Sequence, residues 1–108
     1  MAQQSVTKRP KAEAEVQVDT LRVLVTRWSF APGAETGWHR HAMDYVVVPV
    51  VDGVLLIENA DGAQRFQLNA GKSYARLAGV EHNVVNDSGH AISFVEIELR
   101  SANPADAT

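Results

Sequence analysis

The sequence predicts an all-β protein, a single-domain antiparallel β-barrel or jelly roll. Short runs rich in β-branched and aromatic residues recur at intervals of about ten residues, with turn residues between them. No sustained helical period is found between residues 15 and 100. A chain of 108 residues is the length of one domain and can bury a substantial core.

The predicted strands follow one another from residue 15 onward. VQVDTLRVLVTRWSF indicates two strands or one long bent strand. The next runs are YVVVPVV, GVLLIEN, AQRFQLN, KSYARL, VEHNVVN and AISFVEIEL. Asp61-Gly62 is a favoured hairpin pair and predicts a turn between GVLLIEN and AQRFQLN. Pro49 cannot donate to a sheet ladder, so YVVVPVV is either an edge strand or, as we prefer, a strand with a β-bulge.

The ends of the chain are polar. We expect residues 1–14 and 101–108 to be flexible tails around a domain spanning residues 15–100. The first residues lack the apolar segment of a signal peptide, and no apolar run approaches the roughly 20 residues of a membrane span. We therefore expect a cytoplasmic protein without a membrane partner.

Composition narrows the possible functions. The chain is 45% hydrophobic and 21% charged, as in a globular protein, and its formal net charge of −3 argues against a nucleic-acid partner. Because there is no cysteine, there is no disulfide framework and no thiolate ligand or nucleophile. The absence of disulfides suits a reducing compartment. Any bound metal must be held by nitrogen and oxygen.

The stretch GWHRHAMDY, at residues 37 to 45, places His39 and His41 two residues apart. In a strand, side chains two apart share a face, with Cα atoms roughly 6.5–7 Å apart. Both imidazoles could then bind one metal ion. Two exposed histidines on a solvated strand have the same spacing, so this stretch alone leaves metal binding open.

A second stretch, GKSYARLAGVEHNVVN at residues 71 to 86, decides between these interpretations. Together with PGAETGWHRHAMDY it resembles the paired motifs of the cupin superfamily, G-x5-H-x-H-x3,4-E-x6-G and G-x5-P-x-G-x2-H-x3-N. The resemblance extends from about Phe30 to Leu99. The positions in register are His39, His41 and Gly53 in the first motif and Gly71, Gly79, His82 and Asn86 in the second. The runs DYVVVP, VEHNVVN and FVEIEL look most like small cupins labelled as β-alanine degradation proteins.

The match departs from the family pattern at several positions. Gly33 is displaced by one residue, and Leu77 replaces a proline. Tyr45 stands where the family has its glutamate ligand, and seven residues rather than six separate it from Gly53. A β-bulge inserts one extra residue, so we expect a local bend around Pro49.

The resemblance implies a barrel of six to eight strands that holds one divalent metal ion near one mouth. Its ligands would be His39, His41 and His82, which leave coordination positions free for water or substrate. The candidate ions are Fe, Ni, Zn and Mn, and the sequence does not choose among them. The residues themselves point the same way, because these three histidines lie in β segments with apolar neighbours and their buried ring nitrogens need partners.

Other residues are candidates for catalysis. Tyr45 shares alternation parity with the histidine pair, so its phenol should point inward, either to the metal or to metal-bound water. Glu96 and Glu98 share a face opposite Val95, Ile97 and Leu99. Alternation therefore favours the barrel exterior for both acids, and the alternative places one of them, Glu96, in the cavity as a general base. Asp44 should point away from the site.

The substrate-binding candidates are Tyr74 and Arg76, which share one face beside the second motif. If that face lines the cavity, Arg76 could pair with a substrate carboxylate in fork geometry. The alternative is a surface arginine. Trp38 and Arg40 flank the histidines on the opposite face and should pack or form an interface.

These features indicate a metal-dependent enzyme acting on a small organic acid or amino compound, without choosing among oxygenase, isomerase and hydrolase chemistry. The alternatives are a non-catalytic small-molecule binding module and a barrel that the metal only stabilises. The expected partners are a small-molecule ligand and a second copy of the chain. A homodimer would cover the edge of a strand such as EVQVDT.

Overall fold

The computed structural model describes residues 8–100, which form nine β-strands in two sheets. The strands are β1 (Glu13–Asp19), β2 (Val23–Phe30), β3 (His39–Arg40), β4 (Asp44–Pro49), β5 (Gly53–Asn59), β6 (Gly62–Leu68), β7 (Tyr74–Arg76), β8 (Glu81–Asn86) and β9 (Ile92–Leu99). One sheet has the order β1-β2-β9-β4-β7 and the other β3-β8-β5-β6. Neighbouring strands are antiparallel in both sheets. The predicted all-β jelly-roll fold is confirmed.

The core lies between the two sheets and is apolar at one end of the barrel. Phe30 and Leu55, from opposite sheets, are almost completely buried, and the rings of Phe30 and Phe94 have centroids 5.4 Å apart. Burying side chains of this size stabilises the fold by about 1.5–3 kcal/mol each. Along β9 the inner face changes from Phe94 to the acids Glu96 and Glu98, so the barrel has an apolar half and a polar half.

The predicted hairpin between β5 and β6 is present, with Asn59 paired to Gly62. Ala60 and Asp61 therefore form the two-residue loop, one residue earlier than Asp-Gly would place it. The Asp61 N–H donates to the Asn59 side chain at 2.8 Å, and Gly62 has φ +130°. Glycine is suited to Gly62 because other residues rarely adopt such backbone angles.

The predicted bulge at Pro49 is wrong. β4 pairs residue for residue with β9 from Asp44 to Pro49. The next N–H, of Val50, donates to Ser93, so the nitrogen of Pro49 faces away from β9, and pairing with β7 does not reach that far. Proline therefore removes no ladder hydrogen bond. The extra residue of the first motif lies in the turn between β4 and β5.

The predicted tail boundary after Ala14 is too late. Glu13 and Ala14 already belong to β1, and the preceding segment is held by the Ala12 N–H donating to Glu35 and the Glu35 N–H donating to Pro10. The predicted tails at residues 1–7 and 101–108 lie outside the described residues.

β1 forms one edge of the five-stranded sheet. All seven of its residues are exposed, including Val16 and Val18, and its register against β2 shifts between those two residues. This open edge is the one that the sequence offered for a homodimer. In the part of the chain from 8 to 100, no helix is long and apolar enough to cross a membrane.

Candidate metal centre

Two short strands bring the three histidines together. His39 on β3 and His82 on β8 are directly opposite each other in the antiparallel register. His41 lies just beyond β3, where its N–H donates to Val80 and its carbonyl accepts from Gly79. The Nε2 atom of His41 is 3.0 Å from Nε2 of His39 and 3.2 Å from Nε2 of His82.

The protonation of these rings makes the cluster suitable for a cation. Nδ1 of His39 lies 2.8 Å from the carbonyl oxygen of Gly37, which can only accept, so Nδ1 carries the proton and Nε2 presents a lone pair. Nδ1 of His41 faces the carboxylate of Glu98 at 3.8 Å, which favours the same tautomer. If both Nε2 atoms are unprotonated, their lone pairs repel each other at 3.0 Å, and a cation between them would remove that repulsion.

The spacing of the nitrogens agrees with this conclusion. Nitrogens about 2.0–2.1 Å from one zinc ion, with N–Zn–N angles of about 90–109°, are about 2.9–3.4 Å apart. Both measured separations fall in this range. The residues therefore fit one divalent ion bound through three imidazoles.

Burial keeps the ligand rings neutral. Together with smaller effects of the neighbouring His39 and His82, it lowers the pKa of His41 from 6.5 to about 4. Burial, with smaller effects of His39 and of the charge of Arg76, also lowers the pKa of His82 to about 4. Metal ligation requires neutral imidazole, so neutral pH imposes little competition from protons at these two rings.

Tyr45 stacks on His41. Their ring centroids are 3.9 Å apart and the planes differ by 19°. Burial and, to a smaller extent, the charge of Glu96 raise the pKa of Tyr45 to about 12. The phenol is therefore neutral at physiological pH. Its contact with His41 restricts the plane of that ring.

The expectation that Glu96 and Glu98 face the exterior is wrong. Glu98 pairs with Tyr45 and Glu96 with Val47, and both acids point into the barrel near His41. Glu96 is only 8% exposed. Its pKa is raised to about 7, first by burial and then by Glu98, while the Trp28 indole acts in the opposite direction. Alternation shows which residues share a face but not which face is inside.

A cavity of about 240 Å³ adjoins the histidine cluster. Its lining includes Tyr45, His82, Glu96, Arg76 and Tyr74. Arg76 is thus partly buried at the cavity, and its role in substrate binding stays a prediction. The apolar wall is formed by Val47, Leu55, Ile57, Val84 and Phe94.

Three of the flanking residues lie away from the cavity. Asp44 is exposed and points away from the site, as alternation predicts. It accepts a hydrogen bond from the Ala78 N–H at 2.7 Å. Trp38 is 60% exposed, and Arg40 is also exposed. The interface expected at Trp38 and Arg40 stays a prediction.

Sequence reasoning missed Asn83, which supports the loop carrying His39. Its Oδ1 accepts from the Gly37 N–H at 2.8 Å, and its amide donates to Glu35 and Glu58 at 2.9 Å each. A buried asparagine within the apolar run VEHNVVN was the available signal, because such a side chain needs partners.

The motif residue Asn86 has a different role. Its side-chain amide donates to the carbonyls of Phe30, Ala31 and His90. These bonds tie the ends of β2 and β8 to the turn that leads into β9. Asn86 therefore stabilises the barrel, and these three bonds do not involve the histidine cluster.

Comparison with known proteins decides the family. The Cupin_2 family model, described as a cupin domain, matches residues 26–98. The chain belongs to the cupin family. This cupin is 58% identical over 92 residues to beta-alanine degradation protein BauB of Pseudomonas aeruginosa, covering 85% of this chain and 97% of that protein.

Two solved structures have a fold similar to that of this cupin. A cupin domain from Bordetella pertussis is 55% identical, with a TM-score of 0.87 over 89% of this cupin and 100% of that chain. A cupin superfamily protein from Desulfitobacterium hafniense has a TM-score of 0.67 at 16% identity, over 90% of this cupin and 84% of that chain. At that identity the likeness shows the fold alone.

Proposed function

We propose that this cupin is a metal-dependent enzyme acting on a small organic acid or amino compound. One divalent ion would be bound by His39, His41 and His82. The observation that carries the proposal is the convergence of three imidazoles, with Nε2 of His41 3.0 Å from that of His39 and 3.2 Å from that of His82, beside a cavity. Three protein ligands leave coordination positions that a substrate or water can occupy, as in catalytic sites.

Each part of the cavity has a role in this proposal. A bound ion would polarise a carbonyl group or increase the acidity of bound water. Glu96, whose pKa is raised to about 7 chiefly by burial, can accept or release a proton near neutral pH. Arg76 orients the substrate, Tyr45 holds the ring of His41, and the apolar wall excludes water.

The name of one relative and the size of the cavity support a small substrate. The BauB relative is named for the degradation of β-alanine, a short molecule with an amino group and a carboxyl group. A cavity of about 240 Å³ is smaller than the roughly 300–1,000 Å³ of pockets for drug-sized ligands. We further propose a cytoplasmic homodimer, supported by the absence of cysteine and by the open edge of β1.

Elemental analysis and turnover test this proposal together. Protein purified without added metal should contain about one ion per chain, and protein reloaded with Fe, Ni, Zn or Mn should convert a member of a panel of short amino acids and organic acids. Glu96→Gln should retain the metal and lose turnover. Wild-type protein that holds no metal contradicts the proposal. A metal-loaded protein that binds small acids but converts none of the panel indicates the binding module instead.

A further inference from the structure

The first inference concerns Arg76 and rests on the proposed function. Arg76, Tyr45 and Glu98 occupy neighbouring positions across β7, β4 and β9, in one row of the inner sheet face. Arg76 is close enough to His82 for its charge to lower the pKa of that ring, after burial and His39. Arg76 and His82 both line the cavity.

The guanidinium is held in place, and no acidic residue between positions 8 and 100 forms an ion pair with it. Its central carbon lies 4.6 Å from the centroid of the Tyr74 ring and 5.1 Å from that of Phe66. Stacking of this kind restricts the side chain. Among residues 8–100, its only side-chain hydrogen bond is from Nη1 to the Ala75 carbonyl, and no carboxylate lies within ion-pair distance. Most of its five N–H donors remain available.

We propose that Arg76 is the subsite for the carboxylate of a short aliphatic acid. A planar guanidinium matches a carboxylate with two parallel hydrogen bonds. The apolar wall of Val47, Leu55 and Phe94 fits the carbon chain, and the cavity volume limits its length. The acid is bound by Arg76 and its remaining functional group faces the histidine cluster. The substrate is thus selected at the end remote from the ion.

Binding of simple carboxylates to metal-free protein tests this subsite. NMR titration with propionate and butyrate should give saturable shifts at cavity residues, and the isosteric amides propionamide and butyramide should bind at least about tenfold more weakly. Arg76→Gln should lose about tenfold or more in carboxylate affinity, and Arg76→Lys should lose less. Arg22→Gln removes an exposed positive charge in the turn before β2 and should leave the affinity unchanged.

Three results would overturn the inference: no saturable carboxylate binding by the wild type, equal affinity for acid and amide, or carboxylate binding that Arg76→Gln leaves intact. The outcome is separate from the proposed function, because metal-free protein is used. If the wild-type protein proves to bind no metal at all, the metal-dependent enzyme is contradicted. Carboxylate binding that depends on Arg76 would still support the subsite in that case.

A second inference is carried by a different contact. Nδ1 of His41 faces Oε2 of Glu98 at 3.8 Å, while Nε2 of the same ring faces the other two histidines. The separation is about 1 Å longer than a hydrogen bond, within reach of a small rotation of the glutamate side chain. Glu98 is opposite Tyr45 across the β4–β9 ladder, and Tyr45 covers one face of the His41 ring.

We infer that Glu98 positions His41 for the metal. By accepting the Nδ1 proton it selects the tautomer that places a lone pair on Nε2. A carboxylate behind a ligand histidine fixes the ring and raises its basicity, and losing such a partner commonly weakens metal binding by about 10–100-fold. Tyr45 stands where the first motif of the family has a glutamate. Glu98, its neighbour on β9, would in this way supply a carboxylate to the site.

The tautomer is directly measurable without metal. Nitrogen-15 NMR of the metal-free wild type should show His41 protonated at Nδ1. Glu98→Leu should shift the ring toward the Nε2-protonated form and weaken Zn²⁺ binding, measured against a competing chelator, by about tenfold or more. Glu98→Gln retains an acceptor oxygen and should largely restore the tautomer. Glu15→Leu, on the exposed strand β1, should change neither property.

Nε2 protonation of His41 in the wild type would overturn this inference. So would a Glu98→Leu variant whose tautomer and Zn²⁺ affinity are both those of the wild type. Because the tautomer is read with no ion present, it reports on Glu98 even if the protein proves to have no enzymatic activity.

Discussion

When the metal-free protein is acidified, two kinds of buried group should change its stability in opposite directions. His41 and His82 have pKa values lowered by burial from 6.5 to about 4, and Glu96 has a pKa raised by burial from 4.5 to about 7. Below pH 6.5 the unfolded histidines take up protons that the folded ones refuse, so stability falls as the pH falls toward 4. Glu96 has the opposite sign, because its folded form is protonated below about pH 7 while the unfolded carboxyl stays ionised down to about 4.5.

The magnitudes follow from these values. Between about pH 7 and about pH 5, each histidine lowers the free energy of unfolding by about 2 kcal/mol and Glu96 raises it by about 2 kcal/mol. The wild type should therefore be about 2 kcal/mol less stable at the lower pH. Glu96→Gln removes the stabilising contribution of Glu96, so the free energy of unfolding of this variant should fall by about 4 kcal/mol over the same pH range.

Urea unfolding of chelator-treated protein, followed by tryptophan fluorescence at both pH values, measures the difference. Glu81→Gln changes an exposed carboxylate and serves as the control. The same pH dependence in the wild type and in Glu96→Gln would refute the reasoning, since it would mean that the Glu96 carboxyl is not held protonated by burial.

Three further predictions concern the metal, the packing and the assembly. His82→Ala should remove stoichiometric metal and leave a folded, less thermostable protein; a full complement of metal by elemental analysis would contradict the ligand set. Gly53→Ala should lower the free energy of unfolding by about 1–3 kcal/mol, because its Cβ would lie 2.8 Å from both Ile92 Cγ2 and Ser88 Oγ; urea melts check this. Light scattering should show a dimer, and Val16→Lys on the exposed edge strand should shift it toward monomer; a wild-type monomer would contradict the assembly.

The fold and the histidine cluster were predictable because their signals are local or regularly spaced. Strand periodicity, the turn residues and the two motifs each occupy a short stretch of sequence. The register of β3 against β8, which places His39 opposite His82, follows once the barrel is assumed. Metal binding itself stays a prediction.

The parts that sequence reasoning could not settle depend on contacts between distant strands. The inward placement of Glu96 and Glu98 was missed because apolar Val95 and Ile97 were assumed to face the core, whereas the inner face of β9 is polar at this end of the barrel. The stacking of Arg76 on Phe66 joins β7 of one sheet to β6 of the other. Alternation within a single strand carries no information about either arrangement.

The direct pairing of His39 with His82 has a consequence for how this protein can vary. The strands that carry His39 and His82 pair directly in the sheet, although they are far apart in the sequence: His41, just after the first strand, and His82 are 41 positions apart. Lengthening the exposed β5–β6 hairpin loop at Ala60 and Asp61 would leave that alignment intact, whereas deleting one residue within β8 would turn the third imidazole to the opposite side of the sheet. The hairpin tip is therefore the place where insertions, tags or grafted peptides should be tolerated without loss of the cluster.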